Sequence, residues 1–295
     1  MVARTLLDQF DFPGAHARLL KREPNRVYRV HVADGRSFIL RSRGDATIAP
    51  AAARLQQRWL DAIARQTDLV APVVVALSGE PQPAAAMFTW VEGRRVAGPE
   101  AFLDPKRLAA VAATVAKLHR HAERFRVATT TGIRRFDADY FFPTDYSPLA
   151  ARDRKLLAQL ARRTRAAMRD LGEARERFGL IHGDLGPANW IFHGGAARPI
   201  DFEEFGVGYF LFDLVQVLWT HSMWRDYDDH LSRLIEGYEL IRPLHHDERR
   251  HLPLFQTLPL VDWINRTLRA NDRDALKRWL PPTMKCLRRF AARGP

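Results

Sequence analysis

Three side chains between Leu180 and Gly206 have the types and spacing to do chemistry together: Asp184, Asn189 and Asp201. They stand in LIHGDLGPANWIFHGGAARPIDFEEFG, a D-x4-N-x11-D pattern. The apolar pair Leu180-Ile181 leads into His182-Gly183-Asp184. Trp190-Ile191-Phe192 reads as a strand, His193-Gly194-Gly195 as a turn, and Arg198-Pro199-Ile200 as the returning strand. The two ends of a hairpin lie together, so Asn189 and Asp201 are expected to face each other beside Asp184. An amide oxygen and a carboxylate are hard donors that suit Mg2+, which takes few protein ligands and fills its shell with phosphate oxygens and water. Asp184 is left to accept the proton of an attacking hydroxyl. One carboxylate that orients a nucleophile, with an Asn and a second Asp on the metal, is the division of labour of phosphoryl transfer in kinases. An HxD or a DFE alone reads as a capped loop or a surface pair; the full triplet on loop, strand, turn and strand is much more specific.

The elements that must position this triplet fall into two groups. Up to about residue 91 the chain reads mostly as strand. Val27–Val32 alternates apolar and polar residues, Ala33-Asp34-Gly35-Arg36 is a turn, and Ser37–Arg41 returns as a second strand of an antiparallel hairpin. Residues 49–65 are helical, with Leu55, Trp59 and Ile63 on one face. Val73–Leu77 and Ala85–Val91 are further strand candidates around a turn with Gly79, Pro81 and Pro83. Beyond Gly93 the pattern is helical: Leu108, Val111, Ala112, Val115, Leu118, Ala122 and Phe125 repeat at the helix period. Residues 149–178 form an arginine-dense helical stretch, and helices resume from about 211. The expected class is α+β, with residues 1–91 a small antiparallel sheet carrying one packed helix and residues 92–295 a larger, mainly helical part.

Composition limits the function classes. The 295 residues are 46% hydrophobic and 10% aromatic, which excludes a disordered chain. A single cysteine, Cys286, excludes an internal disulfide and any multi-cysteine zinc or iron–sulfur site. No run of 18 apolar residues reads as a membrane span, and Arg4, Asp8 and Asp11 break any signal core at the start, so a cytoplasmic chain is expected. The net charge of +12 comes from 46 Lys+Arg against 34 Asp+Glu, and 40 of those 46 are arginine. Residues 1–90 hold 12 basic and 8 acidic side chains, so the excess is spread along the chain and is weak evidence for nucleic acid. On the segment 149–178, Arg162, Arg163 and Arg165 are interleaved with Asp153, Asp170, Glu173 and Glu176, the mark of a salt-bridged solvent face.

The segment around Asp184 resembles the aminoglycoside phosphotransferase and choline kinase superfamily, whose catalytic loop reads HGDxxxxN and whose metal aspartate opens an IDF at a strand end. The likeness covers essentially the whole chain, and Glu23-Pro24-Asn25-Arg26-Val27-Tyr28 is similar to the ENRVY stretch of the bacterial stress response kinase A branch. The resemblance implies a protein-kinase-like two-lobe fold with ATP between the lobes and Phe88, Thr89 and Trp90 near the hinge. It implies that Asp184 is the catalytic base, Asn189 and Asp201 the Mg2+ ligands, Arg41 and Asn25 nucleotide contacts, and Asp213 a support for the catalytic loop. Leu118-His119 stands where the family carries an LH near the end of a long helix. Four positions depart from the family pattern. Arg41 replaces the phosphate-gripping lysine with a wide planar fork, and its glutamate partner falls near Gln56, which cannot form an ion pair. The loop Arg22–Arg26 lacks glycine, and Gly186 stands where many relatives have histidine.

These departures motivate an alternative, a catalytically degenerate kinase-fold binding module; the intact Asp184, Asn189 and Asp201 speak against it. Other residues have a bland reading beside a sharp one. His119 and His121 read as packed or capping side chains on a helix end, and His245-His246 as a loop pair. Glu203, Glu204 and Asp262 are candidates to reach an acceptor. Trp219, Trp224, Tyr227 and Trp263 are either core or an aromatic cage for a quaternary amine. The partners expected are ATP and a hydroxyl acceptor, either a small molecule or a protein Ser/Thr. The charge of +12 is mildly unfavourable to a polycationic acceptor.

Overall fold

The computed structural model describes residues 7, 10, 12, 14–22, 26–42, 49–75, 85–143 and 145–293. The chain divides into two units, residues 1–94 with 125–133, and residues 95–124 with 134–295. The sequence reading sets one break at about residue 92; the return of 125–133 to the first unit is a feature that no composition shift marks.

In the first unit, strands β1 (His16–Lys21), β2 (Arg26–His31), β3 (Ser37–Ser42), β4 (Val74–Val75) and β5 (Ala85–Thr89) form one antiparallel sheet in the order β1-β2-β3-β5-β4. The β2–β3 register pairs Val27 with Arg41 and Val30 with Phe38, and β3 pairs Arg41 with Ala86. Alternate residues Tyr28, Val30, Phe38, Leu40, Ala85 and Met87 are buried together, which is what the alternation in the sequence requires of a half-buried strand. Helix α1 (Pro50–Gln66) starts with Pro in its first turn and buries Leu55, Trp59 and Ile63 on one face. Strand β1 has no sequence signature because five of its six side chains are exposed, so alternation has nothing to sort.

The second unit holds short helix α2 (Pro99–Phe102), long helix α3 (Pro105–Arg124), short α4 (Ala138–Phe141) and α5 (Ala151–Leu171). A three-stranded sheet of β6 (Arg135–Phe136), β7 (Phe178–Ile181) and β10 (Gly206–Tyr209) runs in the order β6-β10-β7. Strands β8 (Trp190–His193) and β9 (Ala196–Pro199) form a separate hairpin. Helices α6 (Phe210–Gln216), α7 (Tyr227–Glu239), α8 (His246–Phe255), α9 (Leu258–Arg269) and α10 (Arg273–Ala291) complete the unit. The arginine-dense helix ends at Leu171, earlier than its composition suggests. Gly172 adopts φ 63° there and caps it, and the chain then turns into β7. Among the described residues, no helix is long and apolar enough to cross a membrane.

Five histidines of this unit are buried: His119, His121, His182, His221 and His251. Burial holds the imidazoles of His119, His121 and His221 below their ordinary pKa, and pushes His221 down to about 4. The His221 ring stacks on Phe102 and meets Trp224 edge-on, and its Nε2 has no hydrogen-bond partner among the described residues. Above pH 6.5 both folded and unfolded chains keep these rings neutral. As the pH falls from about 6.5 towards 4, the unfolded chain takes up protons that the folded chain refuses, and stability is lost across that window. Urea midpoints measured at pH 7 and pH 5 are expected to drop at the lower pH, and to drop less in His221→Phe. An equal drop in the two proteins would refute the assignment to His221.

Candidate active site

The site is built on the segment from β7 to β10. Strand β7 ends at Ile181, and His182 and Gly183 then donate their backbone N–H groups to the two carboxylate oxygens of Asp213, at 2.7 and 2.8 Å. Asp213 lies on α6 and is 1% exposed. A buried carboxylate that receives two backbone donors fixes the loop in a single geometry. Gly183 has φ 78°, and a Cβ there would lie 2.5 Å from the Glu204 carbonyl oxygen and 2.6 Å from the Phe136 ring, so both conformation and space require glycine. His182 is fully buried. Its Nε2–H donates to the Ile200 carbonyl at 3.1 Å, and its Nδ1 accepts the Asp184 N–H at 3.3 Å. One tautomer satisfies both bonds, and the imidazole ties the loop to the residue before Asp201.

Asp184, Asn189 and Asp201 come together as their spacing predicts. Asn189 Nδ2 donates to Asp184 twice, to the backbone oxygen at 2.9 Å and to Oδ2 at 2.8 Å. Ile200 N–H donates to the Asn189 carbonyl at 2.9 Å, closing the hairpin, and Trp190 pairs with Pro199. Asp201 is held at φ 70°, a left-handed conformation that a β-carbon makes costly. Burial pushes the Asp184 carboxyl above the ordinary aspartate range, and the charge of Asp201 adds to this. His182, Arg266 and the Asn189 hydrogen bond pull the other way. With Nδ2 committed to Asp184, Asn189 has its amide oxygen left as a donor to a cation. That oxygen and the Asp201 carboxylate form the hard, oxygen-only set that suits Mg2+. Among the described residues, no cluster of three or more His, Cys, Asp and Glu is placed to hold a metal.

Further charges flank the triplet. Glu204 accepts from Arg134 at 2.5 Å and from Arg266 at 3.1 Å, and Arg266 also donates to Asp262 at 2.7 Å. Tyr140 O–H donates to the other Asp262 oxygen at 3.2 Å. Glu204 and Asp262, candidates from sequence, are thus already paired with arginines. Arg134, Arg266 and Tyr140 are the residues that sequence reading missed; the i, i+4 spacing of Asp262 and Arg266 was the one available signal. Tyr227 belongs to the core: it is 2% exposed, bonded to Gln256 and packed on Phe290. His119 is a packed side chain, stacked on Phe210 and bonded to Asp213 and Tyr238.

The expected nucleotide contacts lie in the first unit. Arg41 is half-buried on the central strand β3, and Phe88 and Thr89 sit on β5. Thr89 Oγ1 accepts the Val73 N–H at 2.9 Å, and Trp90 lies under the Arg29 guanidinium at 4.1 Å. Gln56 is buried on α1. Asn25 and its neighbours Glu23 and Pro24 lie outside the described residues.

The Asp213 clamp is the part of this site most exposed to a single change. In Asp213→Asn one of the two backbone donors faces an amide N–H in place of an oxygen, at a cost of about 2–4 kcal/mol. Urea unfolding is expected to show that loss; one below about 0.5 kcal/mol would mean that the loop does not depend on the clamp.

Comparison with known proteins places the site in a family. The family model for the phosphotransferase enzyme family matches residues 17–252. No curated protein sequence matches the chain. Among solved structures, a microcompartment-associated aminopropanol kinase is similar at 23% identity and a TM-score of 0.78, over 99% of this chain and 97% of that one. The amicoumacin kinase hAmiN, solved with AMP-PNP, Ca2+ and Ami, is 17% identical with a TM-score of 0.78, over 98% and 93%. A choline/ethanolamine kinase family protein from Mesorhizobium loti is 18% identical with a TM-score of 0.68, over 98% and 95%. At these identities the structures speak for the fold, while the family match covers most of the chain and includes the whole loop from His182 to Asp201. The chain belongs to the phosphotransferase enzyme family.

Proposed function

We propose that this protein is a Mg2+-dependent kinase that transfers the terminal phosphoryl group of ATP to the hydroxyl of a small alcohol. The observation that carries the reading is the state of Asp184: one carboxylate oxygen held by Asn189, the other free of any hydrogen bond to a described residue, on a loop clamped by Asp213. A positioned carboxylate whose pKa is raised by burial is a better proton acceptor than an exposed one. Asp184 takes the hydroxyl proton, Asn189 and Asp201 hold the metal, and Arg41 meets the phosphates, with Asn25, Phe88, Thr89 and Trp90 as further nucleotide contacts. A magnesium ion bound there supplies neutralising charge for the transferring phosphates. AMP-PNP in the amicoumacin kinase supports ATP as donor, and the aminopropanol and choline/ethanolamine kinases support a small amino alcohol as acceptor.

A second reading, a binding module without turnover, rests on Arg41 and the buried Gln56 in place of a lysine–glutamate pair. The test separates the two. Phosphorylation of 1-amino-2-propanol, ethanolamine, choline, homoserine and kanamycin is measured with Mg-ATP for wild type and Asp184→Asn. The variant is expected to lose at least about a hundredfold in kcat while its thermal midpoint stays close to wild type. Absence of any Asp184-dependent turnover, together with a nucleotide response independent of Mg2+, would favour the binding module.

A further inference from the structure

Gly186 is two residues after Asp184, and its glycine has no conformational reason: its backbone is ordinary, at φ −60° and ψ 162°. The reason is space. A Cβ added at Gly186 would lie 3.1 Å from Trp219 Nε1 and 3.7 Å from its Cδ1, tighter than normal packing at the nitrogen. The same point is 3.9 Å from Asp184 Oδ1. The indole edge thus stands where a side chain at 186 would be, and an indole N–H and a carboxylate oxygen lie within 4 Å of one point.

Among the described residues, neither atom has a hydrogen-bond partner. Trp219 opens a 3-10 turn, Trp219–His221, and is half-buried; its Nε1–H makes no hydrogen bond to any described residue. Asp184 Oδ1 accepts none from a described residue, Oδ2 being occupied by Asn189. An indole nitrogen only donates and a carboxylate only accepts; a hydroxyl does both and complements the pair. The neighbouring charges add little discrimination here, because Glu204 and Asp262 are paired with Arg134 and Arg266.

We propose that Trp219 is a specificity-determining residue for the acceptor, an uncharged hydroxyl on a small alcohol, and that Gly186 makes room for it. This rests on the phosphotransferase reading above. The indole Nε1–H donates to the acceptor oxygen while that hydroxyl donates to Asp184 Oδ1. In the transfer step the hydroxyl proton passes to Asp184 Oδ1 and the acceptor oxygen bonds to the terminal phosphorus of ATP. The bridging P–O bond breaks, and its electron pair leaves with ADP.

The test uses two readouts on the full chain with the alcohol panel above as probe. In steady-state kinetics, Trp219→Phe, which keeps the aromatic ring and removes the N–H, is expected to lower kcat/KM for the acceptor about tenfold, the worth of one hydrogen bond. The KM for ATP should not change. Gly186→Ala should produce a similar loss by displacing the indole. The double variant should lose less than the product of the two, since both act through one contact. In 15N-labelled protein the Trp219 indole N–H signal, identified by its absence in Trp219→Phe, should shift on adding an alcohol that binds. Turnover that survives Trp219→Phe unchanged overturns the proposal and leaves the kinase reading intact. An indole shift without any turnover upholds the Trp219 contact and defeats the kinase reading. No shift with any alcohol overturns the Trp219 contact, whatever the kinetics.

Discussion

Everything at this site hangs on the carboxylate of Asp213 and the two backbone N–H groups it receives. Strand β7 ends at Ile181, so the sheet no longer satisfies His182 and Gly183, and a buried unpaired N–H is costly. The anion that satisfies them is itself buried and must be stabilised in turn. A chain of donors does this from the far side of the unit. Arg242 donates to the Tyr238 oxygen at 2.9 Å, Tyr238 O–H meets His119 Nδ1 at 2.8 Å, and His119 Nε2 faces Asp213 at 3.4 Å. With burial keeping His119 neutral, each link offers its proton towards Asp213, a consistent polarity that hydrogen-bonded chains reinforce. Arg242 is anchored at the other end by Glu123 at 2.7 Å and Glu248 at 3.3 Å. The loop is therefore positioned from four elements, α6, α3, α7 and α8, and none of the supporting side chains has to reach the reacting atoms.

This explains which parts of the site the sequence discloses. Asp184, Asn189 and Asp201 are joined by short-range structure, a turn and a hairpin, so their spacing determines their meeting. The first sheet's core is equally legible, because Tyr28, Val30, Phe38 and Leu40 alternate with half-buried neighbours. Strands β6 and β10 are not: Gly206 and Gly208 have no side chains to sort between faces, and β6 has two residues. Arg134 and Arg266 are brought to Glu204 from 70 and 62 residues away, and no local pattern can announce such a meeting. Trp219 was visible as an aromatic and Gly186 as a departure from histidine. That one explains the other depends on a distance of 3.1 Å that only folding creates.

The basic excess also acquires a physical account. Helix C-termini leave carbonyls unpaired and carry partial negative charge, and arginines meet several of them here. Arg177 donates to the Leu171 carbonyl at the end of α5 at 2.9 Å, and Arg163 to that of Ala291 at the end of α10 at 2.6 Å. Arg107 reaches Ala101 in α2 at 2.8 Å, and Arg175 reaches the Glu123 carbonyl near the end of α3. Carbonyls are neutral acceptors, so a guanidinium bound to one gains no negative charge from that bond; Arg177 also faces Asp247 at 3.4 Å. A guanidinium offers five N–H donors in a rigid fork, where a lysine offers one rotating ammonium, so arginine suits this duty better than lysine. Part of the net charge of +12 is thus a by-product of how the helical unit closes its ends. Charge spent in this manner is scattered wherever helices stop, which is why it forms no stripe along the sequence and is poor evidence for a nucleic-acid partner.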